Sequence, residues 1–141
     1  MQPLPPDLGV ILVDHGSKKA EANGQLNEVA KAFRRSTCAK IVETAHMELA
    51  APTVAQAFAS CIRQGAKRIV VHPYFLAPGR HSTVDIPRMA AEAARPHPEI
   101  PFCVSEPLGL DELLSGVILR RVREALHTLE GFDTQDTQGI A

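Results

Sequence analysis

Three residues in this 141-residue chain stand just beyond apolar runs, and their types suit work on a metal ion. His15 follows the run Leu8–Val13, Glu48 follows Lys40–His46, and His81 lies beyond Arg68–His72. Two imidazoles and a carboxylate are a donor set for a divalent first-row cation, with coordination positions left open for a reacting partner. No short spacing rule of the His-Glu-x-x-His kind joins them, so the inference depends on a fold that brings the three together. The stretch Val70–Pro87 points the same way. Pro73, Pro78 and Gly79 interrupt it more heavily than a plain link between a strand and a helix requires. A loop so constrained holds something in place, and the candidate is His81 with Arg80 beside it.

Each residue also has a plainer reading. His15 before Gly16-Ser17 can be a turn residue bonded to a helix start, and Glu48 can be a solvated charge before Pro52. His81 can simply lie near a helix start, although a protonated imidazole is unfavourable at that positive end. His46 and His72, at strand ends, read as structural; His97 and His127 read as exposed. What favours chemistry is that three strand exits carry suitable groups at once.

The elements that must position these groups follow from hydrophobic spacing. Leu8–Val13 is a short continuous apolar run, the pattern of a strand buried on both faces. A helix is expected from about Lys18 to Ser36, with Ala22, Leu26, Val29, Ala30 and Phe33 at helical spacing and Ser17 as its N-cap. Lys40–His46 is a weaker second strand. A second helix is expected from Pro52, at its first position, to Gln64, with Val54, Phe58, Cys61 and Ile62 as its buried stripe and Gly65 as its stop. Arg68–His72 is the third strand. The next helix starts between His81 and Asp85 and ends before Pro96, with Ser82 and Asp85 matching a capping pattern and Pro87 awkward near the first turn. Phe102–Ser105 is the fourth strand. The last helix, about Asp111 to Leu129, has the most regular amphipathic pattern, and Gly131 closes it. Residues 131–141 read as a polar, disordered tail.

Strand and helix therefore alternate four times. That alternation predicts an α/β fold: a three-layer sandwich with a four-stranded parallel sheet, in one domain with its core at about residues 8–130. Sites in such sheets form outside the carboxyl ends of the strands. If the strands that end before His15, Glu48 and His81 are neighbours, all three groups meet at one edge.

Composition narrows the function classes. A net charge of −1 gives no argument for nucleic acid or an acidic membrane surface as partner, and neither is expected; 4% aromatics without Trp leaves no platform for stacking single strands. No apolar run approaches the roughly 20 residues of a membrane span. Met1–Pro6 lacks the basic and apolar regions of a secretory signal. Cys38, Cys61 and Cys103 are odd in number, scattered and without Cys-x-x-Cys. That pattern suits a reducing compartment and speaks against a zinc ribbon or an iron–sulfur cluster. Each cysteine is expected to pack as a small apolar residue.

Three motifs carry a family resemblance: Val13-Asp14-His15-Gly16-Ser17, His46-Met47-Glu48-Leu49-Ala50-Ala51-Pro52, and Phe75–His81 with Asp85-Ile86-Pro87. In order and spacing, over about residues 8–127, the chain resembles the short sirohydrochlorin chelatases, the small CbiX and SirB proteins of the class II tetrapyrrole chelatases. The resemblance implies a flavodoxin-like, chelatase half-domain that inserts Fe(II) or Co(II) into sirohydrochlorin on the route to sirohaem or cobalamin. It implies His15 and His81 as metal-handling residues with Glu48 as their acidic partner, and no cofactor beyond the substrate metal. Small members resemble half of the two-lobed chelatases and pair as homodimers. Asp14 and His46-Met47 look more like the plant and cyanobacterial type, whose plant members carry a C-terminal cysteine cluster absent from this tail. The expected location is cytoplasmic, or the plastid stroma if a transit peptide has been removed.

The substrate so implied is a macrocycle bearing eight carboxylates. Arg80 is the best candidate to grip one of them, since a guanidinium matches a carboxylate in bidentate fashion. Lys18 and Arg88 are secondary candidates, and backbone amides near Ser17 and Ser82 add to an anion-friendly cleft. A non-enzymatic tetrapyrrole or metal carrier is the alternative on the same fold. A hydrolase or phosphoryl-transfer enzyme ranks below both: Ser17 lacks a Gly-x-Ser-x-Gly elbow and no phosphate loop is present.

Overall fold

The computed structural model describes residues 3–129. The chain divides into two units, Met1–Gly109 and Leu110–Ala141. The first holds a parallel sheet of β1 (Leu8–Asp14), β2 (Ile41–His46), β3 (Arg68–Pro73) and β4 (Phe102–Val104), in the order β2-β1-β3-β4. β1 pairs with β2 from Gly9↔Ile41 to Asp14↔His46, and with β3 from Leu8↔Arg68 to Val13↔Pro73. The exits of β2 and β3 therefore flank the exit of β1, as the candidate site requires. The strand order reverses between β1 and β3, which is where crevices open in sheets of this kind.

The period-two alternation of β1 divides the core. Ile11 and Val13 point to one face, where they pack with Phe58, Ile69, Val71 and Ile86. Helices α2 (Val54–Arg63) and α3 (Ile86–Ala94) cover that face. Val10 and Leu12 point to the other, against Leu26 and Ala30 of α1 (Ala20–Thr37). These layers form the expected sandwich. Gly9 lets α2 approach the sheet closely, since a Cβ there would lie 3.0 Å from the Cβ of Cys61. Beside α1, an apolar groove of about 420 Å³ runs over Leu8, Leu12, Val70, His72 and Tyr74.

Helix starts differ from the sequence expectation. α1 begins after Lys19 with no side-chain cap, and Ser17 lies outside it. α2 is capped by Thr53, not begun by Pro52. The Gln56 amide donates to Thr53 Oγ1 at 3.1 Å and the Thr53 amide to Gln56 Oε1 at 2.9 Å, a reciprocal box that satisfies two free helix-start donors. Ser82 and Asp85 do not cap. They lie in a π turn, His81–Asp85, that runs into α3.

The cysteines also divide. Cys61 is buried and its thiol is pushed up to about 12, first by burial and then by nearby Glu43. Cys38, in a left-handed position closing α1, and Cys103, on the short β4, are exposed, so only Cys61 packs as an apolar residue. In the second unit, α4 (Glu112–Leu126) is N-capped by Asp111, which accepts the Leu113 amide at 2.9 Å. Gly131 and the tail fall outside the described residues.

His72 is half-buried at the groove, with Nδ1 2.8 Å from Ser105 Oγ. Burial lowers its pKa, opposed by a bond to the Glu106 backbone. A histidine held neutral in the fold leaves stability intact above its unfolded pKa. As pH falls through the ordinary histidine range the unfolded chain takes up the proton first, and stability drops. Urea unfolding of wild type and His72→Gln across that range should show a smaller acid-side loss in the variant; parallel curves would contradict this.

A candidate metal-handling site at the strand exits

The exits of β1 and β2 cross at backbone contact. Gly16 has φ +95°, and a Cβ there would lie 1.9 Å from the Glu48 carbonyl oxygen. Only glycine combines that dihedral with that proximity. Two bonds extend the strand pairing into the crossing: Met47 N–H to the Asp14 carbonyl at 2.9 Å, and Glu48 N–H to the His15 carbonyl at 3.1 Å. Beside it, His46, only 3% exposed, pairs through Nδ1 with the Asp14 carboxylate.

This crossing brings His15 Nε2 within 3.0 Å of Glu48 Oε1. His15 Nδ1 lies 3.2 Å from the Gly16 carbonyl. An Nε2–H on His15 can donate to the Glu48 carboxylate, and a cation bound by both groups would take the place of that proton.

His81 arrives from the other side of β1. The Tyr74 amide bonds the Val13 carbonyl at 2.7 Å, which continues the β1–β3 pairing one step beyond β3. The turn at Gly79 is held by the buried Ser82 hydroxyl, which accepts from the Gly79 amide at 3.0 Å and donates to its carbonyl at 3.1 Å. The π turn then opens with His81, and the Ile86 amide reaches back five residues to the His81 carbonyl. Pro87, next in line, has no N–H to continue a tighter ladder. The His81 ring meets His15 edge to face, with centroids 5.2 Å apart, and stacks on Phe75 at 6.3 Å and 21°. Its Nδ1 lies 3.0 Å from Asp85 Oδ2.

Of the predicted residues, the structure gathers His15, Glu48 and His81. Among the described residues no group of three or more His, Cys, Asp or Glu side chains is placed to hold a metal ion as it stands; His15 and Glu48 are hydrogen-bonded, His81 meets His15 ring to ring, and all three are partly exposed. Arg80 and Lys18 are exposed, and neither side chain makes a hydrogen bond or ion pair among the described residues. The Ser17 hydroxyl accepts from the Lys19 amide, and Asn23 clasps the Ser17 backbone. Arg88 stands 3.7 Å from Asp85. Sequence reading missed Asp85 as a partner of His81. The spacing of four between an imidazole and a carboxylate was the available signal.

The fold and these groups define an α/β protein with a candidate metal-handling site at the point where its strand order reverses. The sequence model of the CbiX family matches residues 9–125. The chain belongs to the CbiX family. It is 47% identical over 123 residues to the chloroplastic sirohydrochlorin ferrochelatase of Arabidopsis thaliana, covering 87% of this chain and 55% of that one. It is 31% identical to the sirohydrochlorin cobaltochelatase of Methanosarcina acetivorans, covering 84% and 97%. The fold matches a putative cobalamin biosynthesis CbiX protein from Marinobacter aquaeolei with TM-score 0.74 and 30% identity, over 86% of this chain and 99% of that one. It matches Bacillus subtilis SirB in complex with cobalt with TM-score 0.77 and 29% identity, over 84% and 50%. The chain spans about half the length of the first curated relatives it matches.

The crossing at Gly16 is testable. Gly16→Ala must move Glu48 or the His15 turn, and should cost at least about 3 kcal/mol. A urea midpoint equal to that of wild type would show that the loops separate freely.

Proposed function

We propose that the protein is a sirohydrochlorin chelatase that inserts Fe(II) or Co(II) into the macrocycle. The observation that carries this reading is the convergence of His15, Glu48 and His81 from three strand exits onto one edge of the sheet. The names of its relatives, which include both a ferrochelatase and a cobaltochelatase, support the substrate and the two metals.

Insertion exchanges one divalent cation for two pyrrole protons, so charge balances if the protein can hold the cation and take protons away. Neutral imidazoles of His15 and His81 hold a borderline metal without closing its coordination sphere. Glu48, already bonded to His15, can offset the metal's charge and accept a proton relayed by the imidazole. Arg80 and Lys18, exposed and without a side-chain bond among the described residues, suit the substrate's carboxylates. Leu76, 70% exposed in the same loop, offers an apolar contact to the ring. The metal is substrate, and the proposal invokes no other cofactor.

Two copies would build the equivalent of a two-lobed relative, so the active form is proposed to be a homodimer. Half-length coverage of cobalt-bound SirB supports this. A reducing compartment, cytoplasm or plastid stroma, would keep the thiols free and iron ferrous.

Anaerobic incubation with sirohydrochlorin and Fe(II) or Co(II), followed by absorption against a protein-free control, tests the activity. Acceleration is expected, and His15→Ala and His81→Ala should each slow it at least about 100-fold. Arg80→Ala should raise KM for sirohydrochlorin more than it lowers kcat. Binding without acceleration would favour a carrier instead.

A further inference from the structure

The loop that presents His81 contains a carboxylate with no assigned purpose. Asp85 lies one π turn after His81, and its side chain is only 17% exposed. Its Oδ2 is 3.0 Å from His81 Nδ1, while its other oxygen faces the Arg88 guanidinium at 3.7 Å. An exposed pair four residues apart in a helix usually contributes little. Three features set this one apart. The carboxylate is largely withdrawn from water. The backbone between the partners is a π turn, a geometry found more often at functional sites than in plain helices. The imidazole is also fixed on a second side by the near-parallel ring of Phe75. Together the stack sets the plane of the His81 ring and the carboxylate sets its rotation. Nε2 is left without a hydrogen bond among the described residues.

We infer that Asp85 is a positioning residue for the metal step: by accepting the Nδ1 proton of His81 it selects the tautomer whose Nε2 lone pair is turned out to the incoming cation. The inference rests on the reading of His81 as a metal-binding residue. A carboxylate that receives a ligand histidine's second N–H fixes both tautomer and orientation and makes the free nitrogen a better donor. Without Asp85 the neutral ring is free to carry its proton on Nε2, where a metal must displace it. Phe75 then supplies the plane alone, and the ring can turn about its own axis. Arg88 acts one step further out, by holding the far oxygen of Asp85.

The test reads the tautomer directly. Two-bond ¹H–¹⁵N correlation spectra of the metal-free protein, recorded where His81 is neutral, should show a protonated Nδ1 and an unprotonated Nε2. A wild-type His81 with its proton on Nε2 would overturn the inference, and this measurement needs no variant. Asp85→Ala should move the proton to Nε2 and weaken equilibrium Co(II) binding about 10- to 100-fold. Asp85→Asn, which keeps the shape and one accepting oxygen, should restore most of both. His81→Ala is the control. If it loses Co(II) binding while Asp85→Ala binds as wild type, Asp85 has no positioning role and the metal reading of His81 stands. If His81→Ala binds Co(II) as wild type, the metal reading itself fails and the inference falls with it.

Discussion

The backbone of Gly16 passes so close to the Glu48 carbonyl that no side chain fits between them, and the geometry of the site follows from this contact. It forces the turns after β1 and β2 to share one space. Two hydrogen bonds between the strand exits and the pair of buried His46 with Asp14 then fix their register. A slip by one residue would turn His15 and Glu48 to opposite faces. Because β1 is central, the same strand also sets where the His81 loop begins, through Tyr74 on the Val13 carbonyl. The site is thus built on rigid sheet ends, while the groups it presents remain partly open to solvent.

That balance suits a metal that must arrive and leave. A closed cage of buried ligands would hold a cation as a structural element. Here His15 and Glu48 are about half exposed and joined to each other, and His81 stands over them with one nitrogen engaged. The hydrogen bond between His15 and Glu48 joins two of the groups proposed to take the cation, while the bond of His81 to Asp85 uses Nδ1 and leaves Nε2 without one among the described residues. The stack on Phe75 and the anchored Gly79 turn restrict what His81 can do in the absence of metal.

Much of this was legible in the sequence. The interior strands β1 and β3 carry unbroken apolar runs, so both were plain, and the polar residue after each was easy to mark. Helix starts were less so, because several residues near each start can cap. Ser17 looked like a cap, but Asn23 holds its backbone; Pro52 looked like a first helical residue, but Thr53 and Gln56 satisfy the free amides better. The Asp14–His46 pair was hidden because it depends on which strands are neighbours. Asp85 was misread because its spacing from Ser82 resembles a capping box, whereas the missing N–H of Pro87 and the widened turn direct it to His81 instead. Cys38 and Cys103 were misjudged for a related reason: exposure at a helix end and on a short edge strand is set by tertiary context, not by residue type.

The central claim is that three strand exits hold one cation together. A crystal structure of the protein soaked anaerobically with Co(II) tests it most directly. A single ion bonded to nitrogens of His15 and His81 and an oxygen of Glu48, at about 2.0–2.2 Å, is the expected result. Cobalt bound at other side chains, with these three still hydrogen-bonded as they are now, would contradict it.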